Sequence, residues 1–235
     1  MAADIAARYD AFYRGRDPEY VYPVEFVVRA YLGSYPRLPR AAVIAGAFVL
    51  DLGCGDGRNM PLLFNLGMRV YGVDIAPDIC ARTAERMRRL GVVAETQVGR
   101  NCHIPFSDRF FDHVLACHSC YYVDPGTRFE DNVAEIARVM KPGARWVFSA
   151  PIGTSYIFRG AVDRGDGHME VTSDPYGVRN GYVLRKFDSA AEVEGTLGRW
   201  FTDFHIGSCC NDFWGIEEHV WTVVCNRRQE EPPCV

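Results

Sequence analysis

The chain has 235 residues, of which 48% are hydrophobic and 24% charged, with 26 Lys+Arg against 30 Asp+Glu and a formal net charge of −4. This average composition excludes disordered, collagen-like and low-complexity classes. A chain of this length buries roughly 70% of its unfolded surface without disulfides or metals as staples. The longest apolar stretch, residues 41–50, falls well short of the roughly 20 residues a membrane-crossing helix needs. No excess of Lys and Arg builds the basic face that nucleic acid requires, so neither a nucleic-acid nor a membrane partner is expected. Asp4, Arg8 and Asp10 stand where a secretory signal would begin, so a cytoplasmic location is expected. The nine cysteines form an odd number scattered through apolar sequence and read as reduced thiols. Cys117 and Cys120 make a C-x-x-C, but no second pair matches it at zinc-site spacing and no metal is expected. Cys234 is too near the end for prenylation, which needs the cysteine fourth from last.

No internal repeat, linker or composition break interrupts the chain, so a single domain is expected over residues 1–235. The first 40 residues read as a helical cap, with Val24, Val27, Val28, Tyr31 and Leu32 on one face of an amphipathic helix that ends near Gly33. Residues 47–52 form a short apolar run closed by glycines, as a buried parallel strand would. A helix over residues 59–66 and a strand over 68–74 follow, and Pro77 then opens a helix that Gly91 closes. Strands are expected near residues 92–98 and 111–117. Next comes a helix with Phe129, Val133, Ile136 and Met140 on one face, stopped by Lys141, Pro142 and Gly143 before a fifth strand over 145–150. Strands alternating with helices imply an α/β, doubly wound parallel sheet that holds ligands at the carboxyl ends of its strands. Residues 152–187 break the pattern, being rich in Gly, Asp, Arg and Tyr with little periodicity. A helix near 189–200 and two strands near 201–209 and 218–226 complete the chain. The short connection of residues 211–215 suits an antiparallel pair.

The turn after the first strand, Gly53-Cys-Gly-Asp-Gly57, crowds three glycines where backbone can approach a ligand without a Cβ in the way. A dinucleotide site needs a glycine at the sixth position of that pattern; here the sixth is Arg58 and the fifth, Gly57, carries the glycine. Asp74 closes the second strand, where a carboxylate accepts hydrogen bonds from a ribose diol. The ligand these residues describe is a nucleoside without a pyrophosphate.

With Tyr71-Gly-Val-Asp74, the segment from Pro105-Phe106 to Asp112, and Met140-Lys-Pro-Gly143, the stretch Leu50-Asp-Leu-Gly-Cys-Gly-Asp-Gly57 resembles the class I S-adenosylmethionine (SAM) methyltransferases of small-molecule type. The resemblance spans about residues 47–151. It implies a Rossmann-like fold: a mostly parallel seven-stranded sheet with the last strand antiparallel. It implies SAM as methyl donor and S-adenosylhomocysteine (SAH) as product. Carried over, Gly53, Cys54, Gly55 and Arg58 belong to the turn that holds the methionine part, with Asp51 as its acidic neighbour. Asp74 becomes the ribose acceptor and Ile75 an adenine contact. Asn101 and Cys102 lie at the adenine, and Cys117 at the strand end near the sulfonium. Tyr9 and Tyr13 match a leading helix whose aromatic hydroxyl reaches the methionine carboxylate. Residues 152–187 occupy the place of an acceptor-binding lid. One position departs from the family: Arg100 stands where many relatives have an Asp that accepts from the adenine amino group, and an arginine cannot accept. That contact must pass to Asn101, a backbone carbonyl or water.

Methyl transfer from a sulfonium is an in-line displacement, so the protein mainly supplies proximity. A hydroxyl acceptor also needs a base, and histidine titrates in the right range. His118, at the end of the fourth strand, and His168, near Glu170, are the catalytic candidates, and His219, beside Glu217 and Glu218, is a further one; surface or structural histidines are the alternative reading. The expected activity is methylation of a nitrogen or oxygen of a small metabolite by a monomer or homodimer. A non-catalytic SAM sensor, and methylation of a soft element such as arsenic through cysteines, are the competing readings.

Overall fold

A computed structural model describes residues 2–15 and 20–229. Expectations that touch residues 1, 16–19 and 230–235, including Cys234 and the outer limits of the cap and the domain, lie outside these. The central strand β1 (Phe48–Leu52) has Val49, Leu50 and Leu52 at no more than 1% exposure, as a strand covered on both faces must. It pairs in parallel with β2 (Arg69–Asp74) on one side and β4 (Phe111–Ala116) on the other. β3 (Ala94–Val98) extends the sheet beyond β2, and β6 (Met140–Pro151) continues it beyond β4, both parallel. β11 (Ile216–Arg227) pairs antiparallel with β6 and with β10 (Phe201–Phe213), giving a seven-stranded sheet in the order β3-β2-β1-β4-β6-β11-β10. This is the doubly wound α/β sheet with its last strand antiparallel.

Two apolar layers sandwich the sheet, because side chains alternate faces along each strand. On β6, Trp146, Phe148 and Ala150 join a core with helix α5 (Phe129–Val139), whereas Val147 joins one with α2 (Glu25–Leu32) and α3 (Met60–Asn65). Helix α4 (Pro77–Arg89) begins on a proline whose missing N–H costs nothing there, and it ends on Arg86, Arg88 and Arg89, which suit the negative end of its dipole. Helix α1 (Ala2–Arg14) lies across the carboxyl edge of the sheet: Asp10 pairs with Arg82 of α4 at 2.6 Å, and the Arg8 guanidinium donates to the Asn180 carbonyl at 2.7 Å.

Three expectations are corrected. Strand β6 starts at Met140, so Lys141, Pro142 and Gly143 end the helix but already lie in the strand, where a register irregularity between Phe111 and His113 of its neighbour absorbs them. The final hairpin is longer than its apolar pattern suggests: pairing runs out to Phe213 and Ile216, so the turn is Trp214 and Gly215 alone. Residues 152–187 are not irregular throughout. A 3-10 turn (Tyr156–Phe158) leads into β7 (Val162–Asp163), β8 (His168–Glu170) and β9 (Val183–Arg185), which join β5 (Tyr122–Val123) in a four-stranded antiparallel sheet. Helix α6 (Ala190–Leu197), capped by the Ser189 hydroxyl accepting from the Glu192 amide at 3.1 Å, returns the chain to β10. No helix among the described residues is long and apolar enough to cross a membrane.

Candidate active site

A cavity of about 500 Å³ opens at the carboxyl ends of β1, β2 and β4, between α1, the segment after β6 and the β10–β11 hairpin. This is where a doubly wound sheet leaves its crevice. The turn after β1 forms one wall. Gly53 and Gly55 have φ of 69° and 52°, and each is closely covered: a Cβ on Gly53 would strike the Ser119 side chain, and one on Gly55 would strike the Tyr13 hydroxyl. Only glycine combines that left-handed backbone with that clearance. The Ser119 hydroxyl donates to the Leu52 carbonyl and the Thr83 hydroxyl to the Gly55 carbonyl, fixing the turn from both sides.

Asp74 stands at the end of β2, 8% exposed and facing the cavity. Its Oδ2 accepts from the Gly55 amide at 2.9 Å and its Oδ1 from the Ile75 amide at 2.8 Å. Burial pushes its pKa up, and those backbone donors oppose the shift. Each oxygen keeps a lone pair for a further donor. A buried carboxylate, locked by backbone and open to a cavity, fits the diol of a nucleoside, and the cradle beside it admits no Cβ. The residues present therefore fit SAM.

Asp51 lies beneath the turn at 1% exposure, and its Oδ2 has no hydrogen-bond partner among the described residues. Burial, reinforced by Asp56 and Asp74 and opposed by Arg58, pushes it up to about 7. Arg58 faces the cavity and is chelated by Asp56 through Nε at 3.0 Å and Nη2 at 2.7 Å. At the far end the Asn101 amide donates to the carbonyls of Ser119 at 2.8 Å and Tyr122 at 3.2 Å, which leaves its Oδ1 as an acceptor. Arg100 is paired with Asp124 at 2.7 Å, and Asp124 itself lines this end.

The cavity brings together most of the residues singled out from the sequence. Tyr9 and Tyr13 line it from α1, Gly53, Cys54 and Arg58 from the turn, Asp74 and Ile75 from β2, Asn101 from the loop after β3, and Cys117 and His118 from the end of β4. The Tyr9 hydroxyl donates to that of Tyr122 at 2.8 Å, and burial raises its pKa well above the ordinary phenol value. Five residues fall elsewhere. Asp51 and Gly55 lie beneath the wall, and the Cys102 thiol points at Asp124 Oδ2, 3.6 Å away. His168 sits on β8 outside the cavity lining, its Nδ1 3.2 Å from the Gly165 carbonyl, and so does not face the place where a methyl would be transferred. His219 also misses: its Nδ1 contacts the Thr154 hydroxyl at 2.8 Å. Its neighbour on the opposite face of β11, Glu218, lines the cavity instead. Strand alternation in the final hairpin is the signal that separates the two. Asp124, Tyr156 and Arg179 are cavity residues that no motif marks.

The fold is that of Rossmann-like methyltransferases of known structure. Residues 50–148 match the methyltransferase-domain family. It is 32% identical over 100 residues to a sterol 4-C-methyltransferase of Caenorhabditis elegans, a match covering 42% of this chain and 29% of that one. The chain spans less than half the length of the first curated relatives it matches. Among solved structures, a SAM-dependent methyltransferase from Methanosarcina mazei superposes with a TM-score of 0.66 at 18% identity, over 89% of this chain and 100% of the other. The 1,6-didemethyltoxoflavin-N1-methyltransferase of Burkholderia thailandensis, solved with its substrate and SAH bound, superposes with a TM-score of 0.56 at 18% identity, over 79% and 72% of the two chains.

Proposed function

We propose that this chain transfers a methyl group from SAM to a nitrogen or oxygen of a small molecule. The observation that carries the reading is the continuity of the cavity: the Gly53 turn and Asp74 open into the same space as His118, Glu218 and the lid residue Arg179. The bound SAH in the Burkholderia relative supports the choice of donor. When bound, SAM supplies a methyl on a positively charged sulfur, activated for in-line displacement. The chain's part is to hold and to enclose. Asp74 would take the ribose hydroxyls, the turn at Gly53 and Cys54 beside Tyr13 the methionine part, and Asn101 Oδ1 or Asp124 the adenine amino group in place of the missing acid at Arg100.

Residues 152–187 act in this reading as the acceptor lid, and the N-terminal segment as the cap over the donor. Their contacts support those roles. The Phe12 ring packs edge-on against Tyr176 at 6.3 Å, and Arg8 bonds the Asn180 carbonyl at 2.7 Å, so cap and lid meet above the cavity. A roof of that kind excludes water and suits an acceptor small enough to be enclosed. Isothermal titration of the full chain with SAM and SAH tests the foundation. Saturable binding is expected, and none at millimolar ligand removes the proposal.

A further inference from the structure

The acceptor half of the cavity holds chemistry that binding a nucleoside does not require. His118 follows β4 with φ of 55°, a left-handed conformation uncommon in residues other than glycine. Strain of that kind persists where the surroundings hold it, and it clusters at functional sites. Three neighbours hold it here. Its amide donates to the Ser149 hydroxyl at 2.9 Å, the Phe26 ring packs edge-on at 6.0 Å, and its Nδ1 lies 3.9 Å from Glu218 Oε1. Glu218 reaches this place because β11 runs antiparallel, so its early residues sit at the carboxyl edge of the parallel strands.

Across the cavity stands Arg179, fixed from behind. Asp174, whose side chain is fully buried, accepts from the amides of Val178 at 3.0 Å and Arg179 at 2.9 Å and from Arg179 Nε at 3.2 Å. Arg179 Nη1 donates to the Tyr156 hydroxyl at 3.0 Å. Tyr156 and Tyr176 flank Arg179, each ring centroid 5.8 Å from its guanidinium, and with Phe12, Tyr121 and Phe213 they give the cavity aromatic walls, which suit a flat ring.

An unprotonated amine brings a free lone pair to the methyl and needs no base, whereas a hydroxyl oxygen becomes a strong nucleophile only as its proton leaves. We propose that the acceptor, within the methyl transfer proposed above, is an aromatic hydroxyl compound whose proton His118 removes, with Glu218 steadying the imidazolium and Arg179 attracting the phenolic oxygen. As the oxygen bonds to the methyl carbon, the carbon–sulfur bond breaks and its electron pair goes to sulfur. The hydroxyl proton passes to the imidazole and then to solvent, leaving an aryl methyl ether and a neutral thioether. The charged groups around the imidazole are Glu218 from β11, Arg179 from the lid and Arg58 from the turn before α3. Burial lowers its pKa, Glu218 opposes, and the two arginines add to the lowering, so the ring is neutral and able to accept a proton near neutral pH.

The test uses the full chain. A metabolite extract of cells that encode it is incubated with SAM carrying an isotopically labelled methyl, and the chemical shift of the transferred methyl carbon identifies the atom that bears it. An aryl methyl ether is expected. Label on nitrogen, carbon or sulfur overturns this inference and leaves the methyl transfer standing; SAH binding with no label in any product removes the transfer itself. The variant His118→Asn, which tolerates the left-handed backbone, is expected to lose about a hundredfold or more in turnover, with SAH affinity within twofold of wild type. Loss of less than threefold overturns the role of His118. Independently of turnover, NMR titration of the histidines with SAH bound is expected to place the His118 midpoint lower in Glu218→Gln than in wild type, because the carboxylate that favours the charged ring is gone. An unmoved midpoint overturns the pairing.

Discussion

Replacing Asp74 by alanine probes the donor site at its most determinate atom pair. Each carboxylate oxygen already accepts one backbone amide, from Gly55 at 2.9 Å and from Ile75 at 2.8 Å, and keeps one lone pair for a ribose hydroxyl. Hydrogen bonds to a charged group are worth roughly 1.5–3 kcal/mol each. Loss of two therefore weakens SAH by at least about 3 kcal/mol, a little over a hundredfold at about 1.4 kcal/mol per decade. The same change strips the Gly55 and Ile75 amides of their acceptor, at roughly 1–3 kcal/mol for each group left buried and unpaired. Asp74→Ala should therefore melt earlier as well as bind more weakly. Asp74→Asn keeps the shape and one acceptor oxygen and should fall between the two. Isothermal titration with SAH on samples shown to be folded by circular dichroism separates binding from stability. An Asp74→Ala affinity within twofold of wild type would refute the ribose assignment.

Further outcomes follow from neighbouring residues. Gly55→Ala combines a left-handed φ of 52° with a collision against Tyr13; a cost of roughly 1–2 kcal/mol from the backbone alone and loss of SAH-induced stabilisation are expected in thermal melts. For Asp51, a folded pKa of about 7 against an ordinary 3.8 means that the native state binds more protons than the unfolded chain between these values. Stability from this group is thus lost as pH rises from about 4 to 7, by at most about 4 kcal/mol. Asp51→Asn should melt higher than wild type at pH 8, with the gap closing toward pH 4; denaturant titrations at both values check the sign. Asp174→Ala removes the carboxylate that gathers the Val178 and Arg179 amides and the Arg179 side chain. It should raise the KM for the acceptor about tenfold or more, since hydrogen bonds to a charged group are at stake, while SAH affinity measured by titration stays unchanged.

The sheet and the cavity wall after β1 were legible because their signals are local and dense. Buried parallel strands are near-continuous apolar runs, and the Gly53 turn takes a left-handed backbone that glycine favours. The internal structure of residues 152–187 was not legible. Its strands are only two or three residues long, too short for alternation to register. They pair with β5, a two-residue strand far away in sequence. His118 was visible from its place after β4, but its partner was not, because Glu218 reaches it across the antiparallel hairpin rather than along the chain. His168 failed for the opposite reason: its carboxylate neighbour in sequence, Glu170, bonds Arg164 at the surface, while its ring turns to the Gly165 carbonyl. Asn101 adjoins Arg100, and its side-chain nitrogen donates to the Ser119 carbonyl, which leaves its oxygen as an acceptor.

A crystal structure of the full chain grown with SAH tests the central claim most directly. Both ribose hydroxyls are expected on the Asp74 carboxylate, the amino-acid end beside Tyr13 at the turn of Gly53 and Cys54, and the sulfur facing the space before Cys117 and His118. Electron density for SAH at any other place, or an Asp74 carboxylate with no contact to the sugar, would contradict it.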